Sequence, residues 1–375
     1  MNSNTINFKK VVTYAGAFIA FLIGSGFATG QEVLQYFTSY GYLGVAGGLV
    51  TLVLLWYVGV SFITAGFDHD FKKGSDIFNY YCGKKLGTFF DYFSILFIYL
   101  SFIVMVAGAS ATFNQHFGIP NFVGGVTMAV LACITVLLGL NKLVDIIGKI
   151  GPTIVIISIV LGIVSIFGNL EGLKEAAVSI PEMEMTRAST NWLFAAGSYV
   201  GFCMLWLAGF LASIGSNADN RKELVLGAST GAIGFSIAVI IVALGLMAHI
   251  NDVSGSQIPA LILAAKVHPL LATLFSIIIV AGIYTTAVPL LWSVSSRFAV
   301  DKSKKFKLLT VFLASIGLIV GTGLNFSLLV NIVYVINGYV GILLLGLMFV
   351  KSIRNRIGNK DFIESQNSST IENLN

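Results

Sequence analysis

Charge is scarce in this sequence. Asp, Glu, Lys and Arg make up 10% of its 375 residues, against roughly 25% in a soluble domain. That shortage excludes a soluble protein, because hydrophobic residues reach 56% and too little charge remains to keep such a surface dispersed. Cysteine is nearly absent: Cys82, Cys133 and Cys203 lie far apart and form neither a disulfide framework nor a metal-binding spacing. The four histidines are equally scattered and make no metal centre. The net charge of +5 is spread over loops and not gathered on one face, which excludes a nucleic-acid footprint. Proline is rare at six residues, whereas glycine reaches 40. In membrane spans, glycine lets helices approach closely or lets a helix open.

What the sequence has in quantity is long apolar blocks. Crossing a bilayer as a helix takes about 20 residues. Ten blocks qualify: 9–38, 41–66, 86–113, 120–140, 143–168, 191–215, 223–249, 269–297, 307–324 and 326–350. They are too long, and lack the period-two alternation, for β-barrel strands. With the N-terminus placed inside, eighteen Lys and Arg residues fall in inner segments. Outer ones hold only Lys174, Arg187 and Lys266. This bias predicts an even number of spans with both termini in the cytoplasm of a cell-membrane protein. Residues 1–360 read as one transmembrane domain, and 361–375 as a polar, disordered tail. Residues 169–190 read as an acidic connecting loop. Ile258–Val267 reads as a short helix on the outer face. Both are candidates for an outer gate.

The first block contains Gly24-Ser25-Gly26-Phe27-Ala28-Thr29-Gly30-Gln31-Glu32. Each of its three glycines weakens a helix by about 1 kcal/mol relative to alanine. The polar residues beside them lie at or near membrane depth, where opened backbone is tolerated only inside protein or beside a wet cavity. Opened carbonyls can hold a cation, and the start of the next half-helix can hold a carboxylate. The competing reading is a glycine-rich packing face. The sixth block offers a counterpart in Phe194-Ala-Ala-Gly197-Ser198-Tyr199-Val-Gly201-Phe202. Interrupted first and sixth spans in two five-span halves, 9–168 and 191–350, point to a transporter binding site. An odd number of spans per half inverts the second half.

Several side chains are candidates for coupling to an ion. Lys149 lies early in the fifth block, and an ionisable residue in a span is functional by default; snorkelling to the inner face is the alternative. Thr285 and Thr286 offer paired hydroxyl oxygens for a hard cation such as sodium, or bond back to their own helix. Glu32 is the carboxylate placed well inside the first span. It is read as a proton relay, as a partner for a substrate amine, or as a vestibule residue in water. Tyr99, Phe194, Tyr199, Phe202 and Tyr334 are candidates for pocket walls. Asn331 and Asn337 are polar residues at depth in the tenth span.

Gly24-Ser25-Gly26-Phe27 resembles the first-span break of amino acid–polyamine–organocation permeases, and Phe194-Ala-Ala-Gly197-Ser198-Tyr199 resembles their sixth-span break. The longer run from Gly24 to Phe37 is similar to the YkvI-type membrane proteins of that superfamily. Phe27-Ala28 and Gln31-Glu32 depart from the usual permease pattern. The resemblance implies an all-α, five-plus-five inverted-repeat fold of the LeuT type. It implies secondary transport of an amino acid or related small zwitterion or amine, coupled to sodium or protons, and no enzymatic cofactor. It places substrate at Gly24, Ser25, Gly26, Phe27, Thr29, Gly30, Phe194, Gly197, Ser198, Tyr199 and Phe202. It places coupling at Lys149 or at a sodium site formed by Thr285, Thr286 and first-span backbone; Glu32, which departs from the family pattern, stands as a coupling candidate on its own depth in the span. A channel would instead show charged rings or a carbonyl filter, and an enzyme a nucleophile–base pair or nucleotide loop. Neither pattern is present. A transporter-like sensor without flux remains the alternative.

Overall fold

A bilayer offers the backbone no hydrogen-bond partners, so each apolar block must satisfy its own amides and carbonyls as a helix. The computed structural model follows this rule throughout. It describes the backbone of residues 6–69, 71–138 and 144–372, and side chains over 6–69, 71–138 and 151–355. Among the described residues there are helices and no strands. Nine helices among the described residues are long and apolar enough to cross a membrane. They are α4 (Tyr42–Asp68), α5 (Asp76–Phe117), α6 (Asn121–Leu138), α7 (Val144–Gly168), α9 (Trp192–Ser216), α10 (Arg221–Met247), α13 (Pro269–Phe298), α14 (Lys304–Gly323) and α15 (Phe326–Glu372). The tenth expected span is the first, which is divided into α1 (Phe8–Leu22), α2 (Ser25–Thr29) and α3 (Gln31–Tyr36).

Three expectations change. A separate helical piece precedes the third span, which was not expected: α5 starts at Asp76 but leaves helical geometry at Gly83, whose φ of 72° suits glycine, and the span itself runs on from there. The supposed loop 169–190 holds a helix, α8 (Leu170–Glu182), capped by the Asn169 side chain accepting from the Gly172 amide. Its acidic residues hide an inward face that buries Ala176 and Ile180. The third change is in the sixth span. There α9 runs unbroken for 25 residues, and the interruption expected at Gly197–Gly201 does not occur. Its glycines serve close packing instead. A Cβ on Gly201 would run into the backbone of Gly338, and one on Gly341 into Gly201 itself. The small-residue packing face weighed as the alternative for the first span is therefore what the sixth span uses.

The expected outer helix is present as α12 (Pro259–Val267), preceded by the short α11 (Ile250–Val253). α15 extends to Glu372, into the stretch read as a disordered tail; side chains from 356 onward lie outside the described residues.

The contacts fall into two groups. The first span packs on α10, α4 packs on both α9 and α10, and together they make one bundle. The second group is a scaffold in which α5 packs on α6, α13 and α14, and α6 on α13 and α14. Contacts also pair between halves. The first span against α10 matches α9 against α4, and the first span against α7 matches α9 against α15. The broken first span thus sits where the bundle faces the scaffold, with α5 and α13 against α2.

Candidate functional site

The first span opens at two points. Ile23 (φ −86°, ψ 102°) and Gly24 (φ −110°, ψ −172°) are extended, which ends α1. Gly30 is left-handed at φ 81° and turns α2 into α3. That φ suits glycine alone without strain. A Cβ at Gly30 would also press at 3.3 Å on the Ala260 amide nitrogen of α12. Among the described backbone hydrogen bonds, none returns from Ser25, Gly26 or Phe27 to α1. The Ser25 amide instead faces the Met105 sulfur of α5 at 3.3 Å. The freed Ile23 carbonyl receives the Thr286 hydroxyl of α13 at 3.3 Å.

Behind this break lies Glu32, which is 1% exposed. One carboxylate oxygen, Oε1, accepts from the Tyr199 hydroxyl at 3.0 Å. The other, Oε2, has no hydrogen-bond partner and lies over the face of Gly26, where a Cβ would strike it. The edge of the Tyr334 ring crowds the same face, 3.1 Å from that Cβ position. Glu32 thus occupies space that exists only because residue 26 has no side chain.

Aromatic rings wall this carboxyl. Tyr36 and Phe37 meet Tyr199 edge-on, at centroid distances of 5.4 and 4.9 Å. Phe202 stacks on Tyr334 at 4.8 Å, and Trp206 stacks on Phe97 at 5.2 Å. Trp206 and Tyr334 also meet edge-on at 5.6 Å. All but Trp206 are under 2% exposed. The cluster is apolar in bulk but polar at its tips. Ser25 Oγ, Gln31 Oε1, Tyr36 Oη, Ser198 Oγ, Trp206 Nε1 and Tyr334 Oη are buried without a standard hydrogen bond. Tyr36 faces Ser198, and Tyr334 faces Ser25. Unmet buried groups are costly, at about 1–3 kcal/mol each, and such a concentration marks a place built to meet something else.

The ion-coupling candidates separate. Thr286 bonds both to Ile23 and back to Gly282, at 3.3 and 3.1 Å. The Thr285 hydroxyl turns into its own helix, onto Gly282 at 2.9 Å. One hydroxyl and one opened carbonyl therefore meet as a sodium site would need, and the second hydroxyl points back along α13. The Lys149 side chain lies outside the described residues. Two residues on, α7 passes close to the break, with Gly151 against Ala20 and Ile23. Among the described residues, no three His, Cys, Asp or Glu side chains gather into a metal-binding group.

Of the substrate-contact candidates, the structure brings Gly24, Ser25, Gly26, Ser198, Tyr199 and Phe202 together around Glu32. Thr29 is buried, its hydroxyl donating to the Gly26 carbonyl at 3.1 Å, and Phe27 meets Phe235 of α10 at a tilt, 5.2 Å between ring centroids. Gly197 packs on Ile342 of α15. Phe194 is a correction: it is 58% exposed, on the outward side of α9, and takes no part in the cluster. Tyr99 likewise bonds elsewhere, to the Leu313 carbonyl. Sequence reasoning missed Tyr36, Phe97 and Trp206. Trp206 was within reach, because Tyr199, Phe202 and Trp206 recur at helical spacing on one face.

The end of the bundle beyond Gly30 is closed by amides. The Gln35 side chain donates to the Ser327 carbonyl at 2.8 Å and accepts from Asn331 at 3.0 Å. Gln257, in the segment before α12, donates to the Ser327 hydroxyl and accepts from the Ser327 amide, at 3.2 and 2.9 Å. Gln115 of α5 similarly clasps the Ile258 amide and carbonyl, both at 2.9 Å. Arg187 donates to the Ser39 carbonyl at 3.1 Å, and the next amide, of Ala188, donates to Gln35. Beside this seam is a cavity of about 290 Å³ lined by Asn114, Gln115, Asn121, Gln257 and Asn325 among others.

No protein-family model matches the sequence. The chain is similar to the uncharacterized membrane protein YkvI of Bacillus subtilis (strain 168), at 23% identity over 91% of this chain and 96% of the relative. It is also similar to the uncharacterized protein YyaD of the same strain, at 24% identity over 86% of this chain and 91% of the relative. Among solved structures it resembles a manganese transporter of Eremococcus coleocola, with a TM-score of 0.59, 14% identity, and 94% of this chain and 80% of that one covered. It resembles the inward-facing conformation of Mhp1 with a TM-score of 0.59, 16% identity, and coverage of 90% and 75%. MhsT in complex with L-phenylalanine gives 0.55 at 16% identity, covering 90% and 88%. The all-α fold is therefore of the LeuT type, as the sequence resemblance implied.

Proposed function

We propose that this multi-span membrane protein is a secondary transporter of a small amine-bearing solute, either an amino acid or a related zwitterion or amine, and not an enzyme. The observation that carries this reading is the doubly opened first span. It sets the Gly26 and Phe27 amides, which return no hydrogen bond to α1, and the Ser25 amide, held only by the Met105 sulfur, within one buried cluster with Glu32 and the aromatic rings of α9 and α15. A solute carboxylate would meet the amides, and its amine would meet Glu32. Solved relatives of the same fold that transport manganese or bind L-phenylalanine or bromovinylhydantoin support a carrier in general.

Alternating access would rock the bundle of the first span, α4, α9 and α10 against the scaffold of α5, α6, α13 and α14. The two five-span halves would act as inverted repeats. The Lys and Arg bias puts both termini in the cytoplasm of a cell-membrane protein, so the amide seam at Gln35 faces outside. Coupling has two routes: sodium at Thr286, Thr285 and the Ile23 carbonyl, or a proton at Glu32.

Thermal stabilisation of the purified protein by amino acids and amines, with and without sodium, tests the site. Uptake by proteoliposomes tests the transport. A ligand that stabilises the protein and never crosses the bilayer would make it a sensor.

A further inference from the structure

Glu32 is a buried charge-bearing group in an aromatic cluster that, among the described residues, supplies no positive charge. Among the described residues, no Lys, Arg or His pairs with it. The titratable groups facing it are the hydroxyls of Tyr36, Tyr199 and Tyr334 and the thiol of Cys203. None of these is cationic in any protonation state. Three cations of the elements packed on α3 are engaged elsewhere. Lys266 of α12 is paired with Asp252 at 2.9 Å. Arg221 of α10 is paired with Asp68 at 3.1 Å. Lys351 of α15 lies over the Tyr80 ring.

An unpaired carboxylate in a dry protein interior is too costly to persist. It must take a positive charge from outside, and two kinds are available: a proton, or an organic cation. The walls favour the second when a solute is present. Tyr36, Tyr199, Phe202, Trp206 and Tyr334 ring the site, and aromatic faces attract ammonium groups, most strongly where water is excluded. The unpartnered Oε2, aimed at the bare face of Gly26, is the acceptor such a group would meet.

We propose that Glu32 and its aromatic walls form a single-occupancy site that exchanges one proton for one organic ammonium ion, so that the protein works as a proton–amine antiporter. This rests on the carrier reading above and narrows it. The exchange balances. Protonated Glu32 plus the cation gives the carboxylate–ammonium pair plus a released proton, and the buried site is neutral before and after. Neither occupant leaves without the other replacing it, because the empty state leaves a bare charge buried among aromatic rings. Occupancy by either one is thus the condition for passing through the closed conformation, which is what couples the two fluxes.

The test uses the full-length purified protein with choline and its neutral isostere 3,3-dimethylbutan-1-ol as probes. Titration calorimetry in two buffers of different ionisation enthalpy should show about one proton released per choline bound below neutral pH. The apparent Kd should rise about tenfold per unit fall in pH where Glu32 is protonated before binding. The neutral alcohol should not bind. Glu32→Gln, which mimics the protonated form, should keep the wild-type unfolding temperature and lose both choline binding and proton release. In proteoliposomes, inward choline flux should make the interior alkaline. Binding without proton release, equal binding of the alcohol, retention of binding by Glu32→Gln, or acidification of the interior would each overturn the exchange. Where Glu32→Gln does not fold, the wild-type pH series and the isostere decide the matter alone. Clean proton-for-choline exchange in binding with no flux would leave the site standing and overturn the carrier reading.

Discussion

At residue scale, Gly26 and Glu32 define each other. The carboxyl occupies the volume that a side chain at 26 would need, with the Tyr334 ring alongside. Gly26→Ala should therefore displace Glu32 or the ring and weaken solute binding by an order of magnitude or more, read by ligand stabilisation of purified protein. Gly26→Leu should abolish transport at normal expression. Tyr199→Phe removes the hydroxyl that donates to Glu32 at 3.0 Å while keeping the ring, so binding should weaken with little change in unfolding temperature. Thr286→Val leaves the Ile23 carbonyl without its donor. It should cost about 1 kcal/mol of stability, read by thermal unfolding, and should remove any sodium-dependent rise in unfolding temperature that the native protein shows.

At the scale of elements, two glycine-rich spans met different fates. In the first span, Gly24 and Gly30 sit where the chain leaves helical geometry, and polar residues line the opening. In α9, Gly201 lies against Gly338 and Gly341 of α15, and the helix stays whole because close backbone packing rewards continuity. The composition of the two stretches is alike; the difference is what faces them. Facing helices are a tertiary fact, so the span count and the first break were legible in sequence and the fate of the sixth was not. The helix α8 was hidden for a related reason. Its acidic outward face dominates the composition, while its burial contacts come from Ala176 and Ile180. The aromatic cluster was half legible: Tyr199, Phe202 and Tyr334 stood out in their spans, but Phe97 and Tyr36 join only through folding. Gly201→Leu should destabilise the α9–α15 crossing by about 1–3 kcal/mol, lowering the unfolding temperature in detergent.

At the scale of the whole molecule, the site is shut at the end where Gln35, Gln257, Ser327 and Asn331 join the first span, the α12 segment and α15. Replacing Gln35 and Gln257 together with alanine should shift the population toward a state open at that end. A cysteine introduced at Ala107, which lines the neighbouring cavity and is 2% exposed, should then react several-fold faster with a membrane-impermeant maleimide. Under the proposed alternating access this is a population shift and not a structural loss, so the unfolding temperature should change little.

The material of that seam has a consequence of its own. The contacts joining Gln35, Gln257, Ser327 and Asn331 are made by amides, a hydroxyl and backbone groups, with no ion pair among them. Ion pairs at a surface weaken as salt rises, and carboxylates lose charge in acid. A clasp of uncharged groups does neither. The clasp at Gln35 and Gln257 would hold equally well in brine, in fresh water or in mildly acid surroundings, so that under the proposed exchange it is the cargo and its proton that decide when it opens.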